Sequence, residues 1–355
     1  MTDEVLIRRE GAVGRLSLNR PRALHALTHA MCYALSDALL EWREDDGIEL
    51  VMLDHAEGRG FCAGGDVARV RRSALDDGGA AGRAFFRAEY RLNHLLFVYP
   101  KPIVAFMDGV TMGGGAGLAL PCRYRIATQN TLFAMPEGAI GLFPDVGMGR
   151  HLSRLPGRIG PFLALTGARL DGAECLWAGL ATHYLPSEHV TEARVHLTET
   201  PGDIDRALRS LAPLDPPPAR IAGNAERIAR LFASDRLEEI LAALAADPSD
   251  WAAKELKAVA SKCPTTAKVA LRLLARGAEE ADFAEEMRLE YRLAARMIMR
   301  PDFAEGVRAV LVDKDNAPRW DPAVPERVTE DMLDAIFAPL PEGEEWTPFP
   351  PSSRT

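Results

Sequence analysis

Two acids eight residues apart, Glu137 and Asp145, each directly follow a proline, in Met135-Pro136-Glu137 and Phe143-Pro144-Asp145. A proline fixes the local backbone, so both carboxylates sit on rigid turns. Just upstream lies a glycine-rich run from Gly109 to Gly117, with Gly113-Gly114-Gly115 inside it. Consecutive glycines let backbone N–H groups approach a ligand with no side chain in the way. Donors of this kind beside held carboxylates suit acyl or enolate chemistry: the N–H groups stabilise a developing oxyanion while the acids move protons.

A second glycine site, Ala63-Gly64-Gly65-Asp66, follows an earlier apolar run. Two donors converging on one carbonyl oxygen would form an oxyanion hole, each worth about 10²–10³ in turnover, or roughly 3–4 kcal/mol. Taken singly, either run reads equally as a tight turn with close backbone packing. Neither fits G-x-G-x-x-G, which weakens a dinucleotide site. A third acid is out of place. Phe85, Glu89, Leu92 and Leu96 share one stripe of a helix expected over 83–98. An unpaired carboxylate facing inward there costs on the order of several kcal/mol, so Glu89 pairs with a cation or opens onto a polar pocket.

The elements that must hold these residues are partly legible. Val5 to Arg8 and Gly14 to Leu18 suggest a β-hairpin around Gly11, and Thr28 caps a helix running to Trp42. Leu50 to Leu53 reads as a buried strand, as do Pro102 to Met107, Arg123 to Thr128 and Leu132 to Met135. Ser73 to Gly82 is small, acidic and glycine-rich, and is expected as a mobile loop. Gly113 opens a helix, and short helices follow over 159–166 and 172–178. Beyond about residue 200 only helical periodicity recurs, over 203–213, 224–233, 235–246, 249–262, 265–277 and 282–299. The expected organisation is a mixed α/β part over 1–200 followed by a helical region over 201–355.

Bulk properties exclude several classes. No run of 18 apolar residues appears, so no membrane span is expected. A net charge of −9 argues against a nucleic-acid binder that works by phosphate neutralisation. The five cysteines are scattered, with no C-x-x-C pair, which disfavours disulfides and a zinc knuckle; no metal is expected. The acids at Asp3 and Glu4 do not resemble a secretory or organellar leader, so a cytoplasmic location is expected. No G-x-S-x-G, Walker A or H-E-x-x-H motif is present.

The order Asn19-Arg20-Pro21-Arg22-Ala23-Leu24, Phe61-Cys62-Ala63-Gly64-Gly65-Asp66, Gly113-Gly114-Gly115 and Pro136-Glu137 resembles the crotonase (enoyl-CoA hydratase/isomerase) superfamily. Further stretches, including Phe85 to Tyr90, Ile140 to Gly147, Met287 to Leu293 and Phe303 to Leu311, resemble a branch that hydrolyses short 3-hydroxyacyl-CoA thioesters, 3-hydroxyisobutyryl-CoA above all, in valine degradation. The likeness runs over roughly residues 5 to 325. It implies a spiral of β-β-α turns binding an acyl-CoA substrate, with the C-terminal helices covering the site of their own subunit or a neighbour's, which allows a homo-oligomer. No cofactor is implied, since CoA is part of the substrate.

By the same resemblance, the N–H groups of Gly65 and Gly114 hold the thioester oxygen. Glu137 activates water or attacks the thioester itself. Asp145 and Glu89 contact the hydroxyacyl group and the water. Arg22, Ala23 and Leu24 lie along the adenine end of CoA, and the loop Ala63, Gly64, Gly65, Asp66 lies along the pantetheine arm. Hydratases of the superfamily carry a glutamate, and dienoyl-CoA isomerases an aspartate, where this chain has Gly117. That departure favours hydrolysis; an enoyl-CoA hydratase or isomerase, or a non-catalytic CoA-binding protein, are the alternatives.

Overall fold

The architecture follows from strands apolar on both faces, which therefore need cover on both faces. The computed structural model describes residues 2–351. Among these residues are ten strands: β1 (Val5–Glu10), β2 (Val13–Leu18), β3 (Leu50–His55), β4 (Gly60–Cys62), β5 (Ile103–Met107), β6 (Val110–Met112), β7 (Tyr124–Ala127), β8 (Leu132–Ala134), β9 (Leu170–Asp171) and β10 (His183–Tyr184). They form a six-stranded sheet in the order β1-β2-β3-β5-β7-β10 and a four-stranded sheet in the order β4-β6-β8-β9. β1 and β9 run antiparallel to their neighbours, and the other pairings are parallel. From β3 to β8 each turn of the chain gives one strand to the first sheet, the next to the second, and then helix.

The helices of this spiral are α1 (His29–Glu44), α2 (Val67–Asp76), α3 (Ala80–Phe97), α4 (Gly114–Ala119), α5 (Met148–Ser153), α6 (Ile159–Thr166) and α7 (Gly172–Ala178). Thr28 caps α1, its Oγ1 accepting the Met31 N–H at 3.2 Å while donating to Glu4 Oε2 at 2.7 Å. Two further helices, α8 (Val190–Glu199) and α9 (Ile204–Leu211), cover the outer face of the larger sheet. There Val190, Ala193, Leu197 and Leu208 pack against Leu50, Met52, Val104 and Phe106, while the alternate residues Val51, Leu53, Ile103 and Ala105 face the main core. The spacing of Val190, Ala193 and Leu197 is the sequence signal for α8, which the sequence reading missed.

The segment 73–82 is not a loop. α2 runs through it to Asp76 and α3 starts at Ala80. Ser73 Oγ accepts the Gly82 N–H at 2.9 Å and donates to Asp77 Oδ1 at 2.6 Å, while Asp77 accepts the Ala80 N–H at 2.8 Å. The small and acidic residues there serve as the connector between two helices, satisfying N–H groups that the first turn of α3 leaves free.

After α9 come α10 (Ala225–Leu231), α11 (Leu237–Ala246), α12 (Asp250–Ala260), α13 (Pro264–Glu279), α14 (Phe283–Met297), α15 (Pro301–Val307) and α16 (Glu330–Phe337), with a π-turn at Arg308–Val312. α13 packs on α5 and α6, α14 on α3, and α15 on α2 and the turn at Glu137–Ile140. The chain then returns to α3. Trp346, fully buried, donates to the Arg87 carbonyl at 3.3 Å, and Arg87 donates to the carbonyls of Glu344 and Glu345. α3, which carries Glu89, is thereby packed between α1, α2, α4 and α14 and held by the C-terminal segment. Among the described residues no helix is long and apolar enough to cross a membrane.

Candidate active site

Three strand ends and one helix meet at a cavity of about 170 Å³. Gly64 and Gly65 follow β4, Gly113 and Gly114 follow β6, Pro136 and Glu137 follow β8, and Glu89 comes from α3; Asp145 completes the polar lining. Because β4, β6 and β8 are parallel neighbours, their C-terminal ends lie side by side, and sites far apart in sequence become one pocket. Phe85, Phe86, Ile140 and Leu142 supply apolar walls, and Val310 and Leu311 from the π-turn form a rim, Leu311 being exposed. The sequence reading missed these last two. A turn of π-helix is rare and frequent at functional sites, but nothing in the residue pattern marks it.

The two glycine donors are free to face the cavity. Leu27 pairs with the loop through Leu27 N–H to Gly64 O (2.7 Å) and Asp66 N–H to Leu27 O (2.9 Å), which leaves the Gly65 N–H on the opposite side. Gly114 is the first residue of α4, so its N–H lies outside that helix's own ladder. The two sites are adjacent: a Cβ on Gly114 would lie 3.3 Å from the Gly65 nitrogen. It would also collide with Glu89 Oε1, and a Cβ on Gly113, at φ +49°, would lie 2.8 Å from Glu137 Oε1. Glycine is required here by the nearness of the carboxylates.

Glu89, Glu137 and Asp145 are all nearly buried. Asp145 Oδ2 accepts the Tyr90 hydroxyl at 2.7 Å, whereas Glu89 Oε1 and Glu137 Oε2 are buried with no hydrogen-bond partner among the described residues. Burial, then the charges of Asp145 and Glu137, holds the Glu89 carboxyl well above the ordinary carboxylate range. Burial and the charge of Asp145 raise Glu137 in the same way. Burial lifts Asp145 to about 6, with the Tyr90 hydroxyl pulling it back down. Three carboxyls this close titrate as a set, so that each one's charge raises the proton affinity of the others. Such a cluster can both accept and donate protons.

Tyr90 provides a prediction with a definite sign. Its hydroxyl favours the charged form of Asp145, so Tyr90→Phe raises the Asp145 pKa further. A raised acid contributes stability at low pH that is lost as pH climbs through the folded pKa. The Tyr90→Phe penalty therefore grows from about pH 6, where wild-type Asp145 ionises, and levels off above the variant's own folded pKa, reaching about 1.5–3 kcal/mol. Urea unfolding of both proteins from pH 4 to 8 measures it.

The remaining predicted residues divide. Ala63 lines the cavity. Arg22, Ala23 and Leu24 do not; they run beside the Ala63 loop, tied by the Ala63 N–H to Leu24 O bond of 2.9 Å, and Arg22 is exposed. The Asp66 carboxylate also turns away, to Arg20 at 3.0 Å and Arg69 at 3.3 Å. Gly117 lies deeper, against Val146: a Cβ there would fall 2.5 Å from Val146 Cβ and 2.9 Å from Asn93 Nδ2. The space that an acid at this position would occupy is filled. Gly117→Ala is accordingly expected to destabilise the fold by about 1–3 kcal/mol through overpacking, read by chemical denaturation. Among the described residues no group of three or more His, Cys, Asp or Glu side chains is arranged to hold a metal.

Comparison with known proteins gives the family. The Enoyl-CoA hydratase/isomerase family model matches residues 13–337. The mitochondrial 3-hydroxyisobutyryl-CoA hydrolase of Xenopus tropicalis is 41% identical, covering 95% of this chain and 89% of its own. That of Gallus gallus is 40% identical with the same coverage. Among solved structures, a carnitinyl-CoA dehydratase from Mycobacterium thermoresistibile superposes with a TM-score of 0.92 at 39% identity, covering 98% of this chain and 99% of that one. The relatives overturn the cytoplasmic expectation, since both hydrolases are named as mitochondrial. The five cysteines, all free and buried, fit a reducing environment without saying which one.

Proposed function

The chain belongs to the enoyl-CoA hydratase/isomerase (crotonase) family, and from that premise we propose that it hydrolyses short 3-hydroxyacyl-CoA thioesters, 3-hydroxyisobutyryl-CoA first, as in valine breakdown. The observation that carries the reading is the convergence of Glu89, Glu137 and Asp145 with Gly65 and Gly114 on one small cavity. A dehydratase among the structural relatives argues for elimination or hydration instead. Against it stands Gly117, whose position Val146 closes to any side chain, leaving no room for a second acid there.

The N–H groups of Gly65 and Gly114 receive the thioester oxygen and gain strength as it becomes an oxyanion. Glu137, its proton affinity raised by burial and the charge of Asp145, takes a proton from water as the oxygen attacks the carbonyl carbon. Collapse of the tetrahedral intermediate breaks the C–S bond, and the proton on Glu137 passes to the departing CoA sulfur. Products are the free acid and the thiol. Glu137 can alternatively attack directly, giving an anhydride that water then opens; its unpartnered Oε2 suits either role. A single turnover in ¹⁸O-water separates the two, because only the anhydride route can leave label in the protein.

Asp145 and Glu89 face the acyl end of the cavity and are suited to bind its hydroxyl and the attacking water. The apolar walls at Phe85, Phe86 and Leu142 suit a short branched chain. Thiol release from a panel of short acyl-CoA thioesters tests the substrate class. 3-Hydroxyisobutyryl-CoA and 3-hydroxypropionyl-CoA are expected to lead, and equal turnover of chains lacking the hydroxyl would contradict the assignment.

A further inference from the structure

The turn that carries Asp145 is strained, and a buried acid from another part of the chain holds it. Val146 is β-branched yet sits at φ +58°, a conformation such residues rarely adopt, and Gly147 follows at φ +90°. Strain of this kind persists only where the surroundings impose it. Here α14 does so. Glu290, fully buried, accepts the Gly147 N–H at 2.7 Å through Oε2 and the Gly149 N–H at 3.2 Å through Oε1. Gly117 receives the Val146 side chain from the other side.

Glu290 does not line the cavity, so it touches no substrate. The groups facing it are Glu286 on its own helix and Asp145 across the turn, with Tyr90 of α3 close enough to feel its charge. The Glu286 carboxyl is within hydrogen-bonding reach of Glu290 and the Arg150 backbone N–H, with Glu280 and Arg154 near it. Asp145 therefore has two neighbours of different kinds: Tyr90 bonds its carboxylate, and Glu290 bonds the backbone on which it is mounted.

We propose that Glu290 is a positioning residue for the hydrolysis, acting through the Asp145–Gly149 turn to set where the Asp145 carboxylate lies in the cavity. The proposal rests on the hydrolase reading above. Glu290→Gln keeps the volume but can accept only one of the two N–H bonds, and presents an NH₂ to the other. The substrate's CoA end is not affected by this change. For folded protein, kcat on 3-hydroxyisobutyryl-CoA is expected to fall about 10- to 100-fold with KM within about threefold. Glu285→Gln, at an exposed position of the same helix facing Arg288 and away from the turn, is expected to keep kcat within about threefold.

Unchanged kcat in Glu290→Gln would overturn the proposal, as would an equal loss of kcat in Glu285→Gln, which would mean general disruption of α14. Should Glu290→Gln give no folded protein, Glu290→Asp is assayed under the same two criteria, since it keeps the charge and withdraws it by one methylene. Normal wild-type hydrolysis with an indifferent Glu290 variant sinks this inference alone. A wild-type protein that releases no thiol sinks both readings.

Discussion

Replacing Glu137 with Gln is expected to lower kcat for 3-hydroxyisobutyryl-CoA by about 10³–10⁴-fold, or roughly 4–5.5 kcal/mol of barrier, with little change in binding of CoA. Gln fills the same volume, so the apolar walls keep their contacts. What it lacks is a carboxylate that can take a proton from water or form an anhydride, and both routes end with it. The fold should gain slightly. Glu137 is buried with a raised pKa and an unpartnered oxygen, so removing its charge removes a desolvation cost. Steady-state kinetics with calorimetric CoA binding and a thermal melt check all three. A variant within tenfold of wild type would show that another group activates the water.

Gly114→Ala should cost about 10²–10³ in kcat, or roughly 3–4 kcal/mol, with KM nearly unchanged. The added methyl would collide with Glu89 Oε1 and lie 3.2 Å from Leu27 Cδ1. Leu27 is buried in the main core and cannot retreat, so relief comes from moving Glu89 or tilting the N-terminus of α4. Either motion disturbs the site, the first by shifting an acid and the second by re-aiming the donor. Retained kcat with a displaced melting temperature would mean that Gly114 matters only for packing.

The sequence carried much of this site and missed its frame. Glu137 and Asp145 were legible because each follows a proline, and Glu89 because a charge interrupted an apolar stripe. The adjacency of Gly65 and Gly114 was not derivable from spacing. It exists because β4 and β6 are parallel neighbours in a second sheet whose strands are only two or three residues long, too short to show a period. Resemblance supplied that pairing. Glu290 is a different kind of miss. It sits on the stripe Phe283, Met287, Glu290, Ala294 and Met297 just as Glu89 sits on its own, so the same misfit was there to be seen. The strain at Val146 was hidden, because a backbone dihedral imposed by packing leaves no mark on the residue type.

The loop expected over 73–82 failed for a related reason. Ser, Asp and Gly read as loop residues in isolation, but here a serine and an aspartate satisfy the N–H groups at a helix junction. In the same way Asp66, expected along the substrate, spends its carboxylate on Arg20 and Arg69 and holds the loop that carries Gly65.

The central claim is that this crotonase-family chain breaks a thioester instead of hydrating a double bond. The most direct measurement gives purified protein 3-hydroxyisobutyryl-CoA and, in parallel, a short enoyl-CoA, following free thiol and enoyl absorbance together. Thiol release from the first at a rate abolished by Glu137→Gln, with the enoyl absorbance of the second unchanged, is the predicted result. Loss of enoyl absorbance without thiol release from either substrate would contradict it.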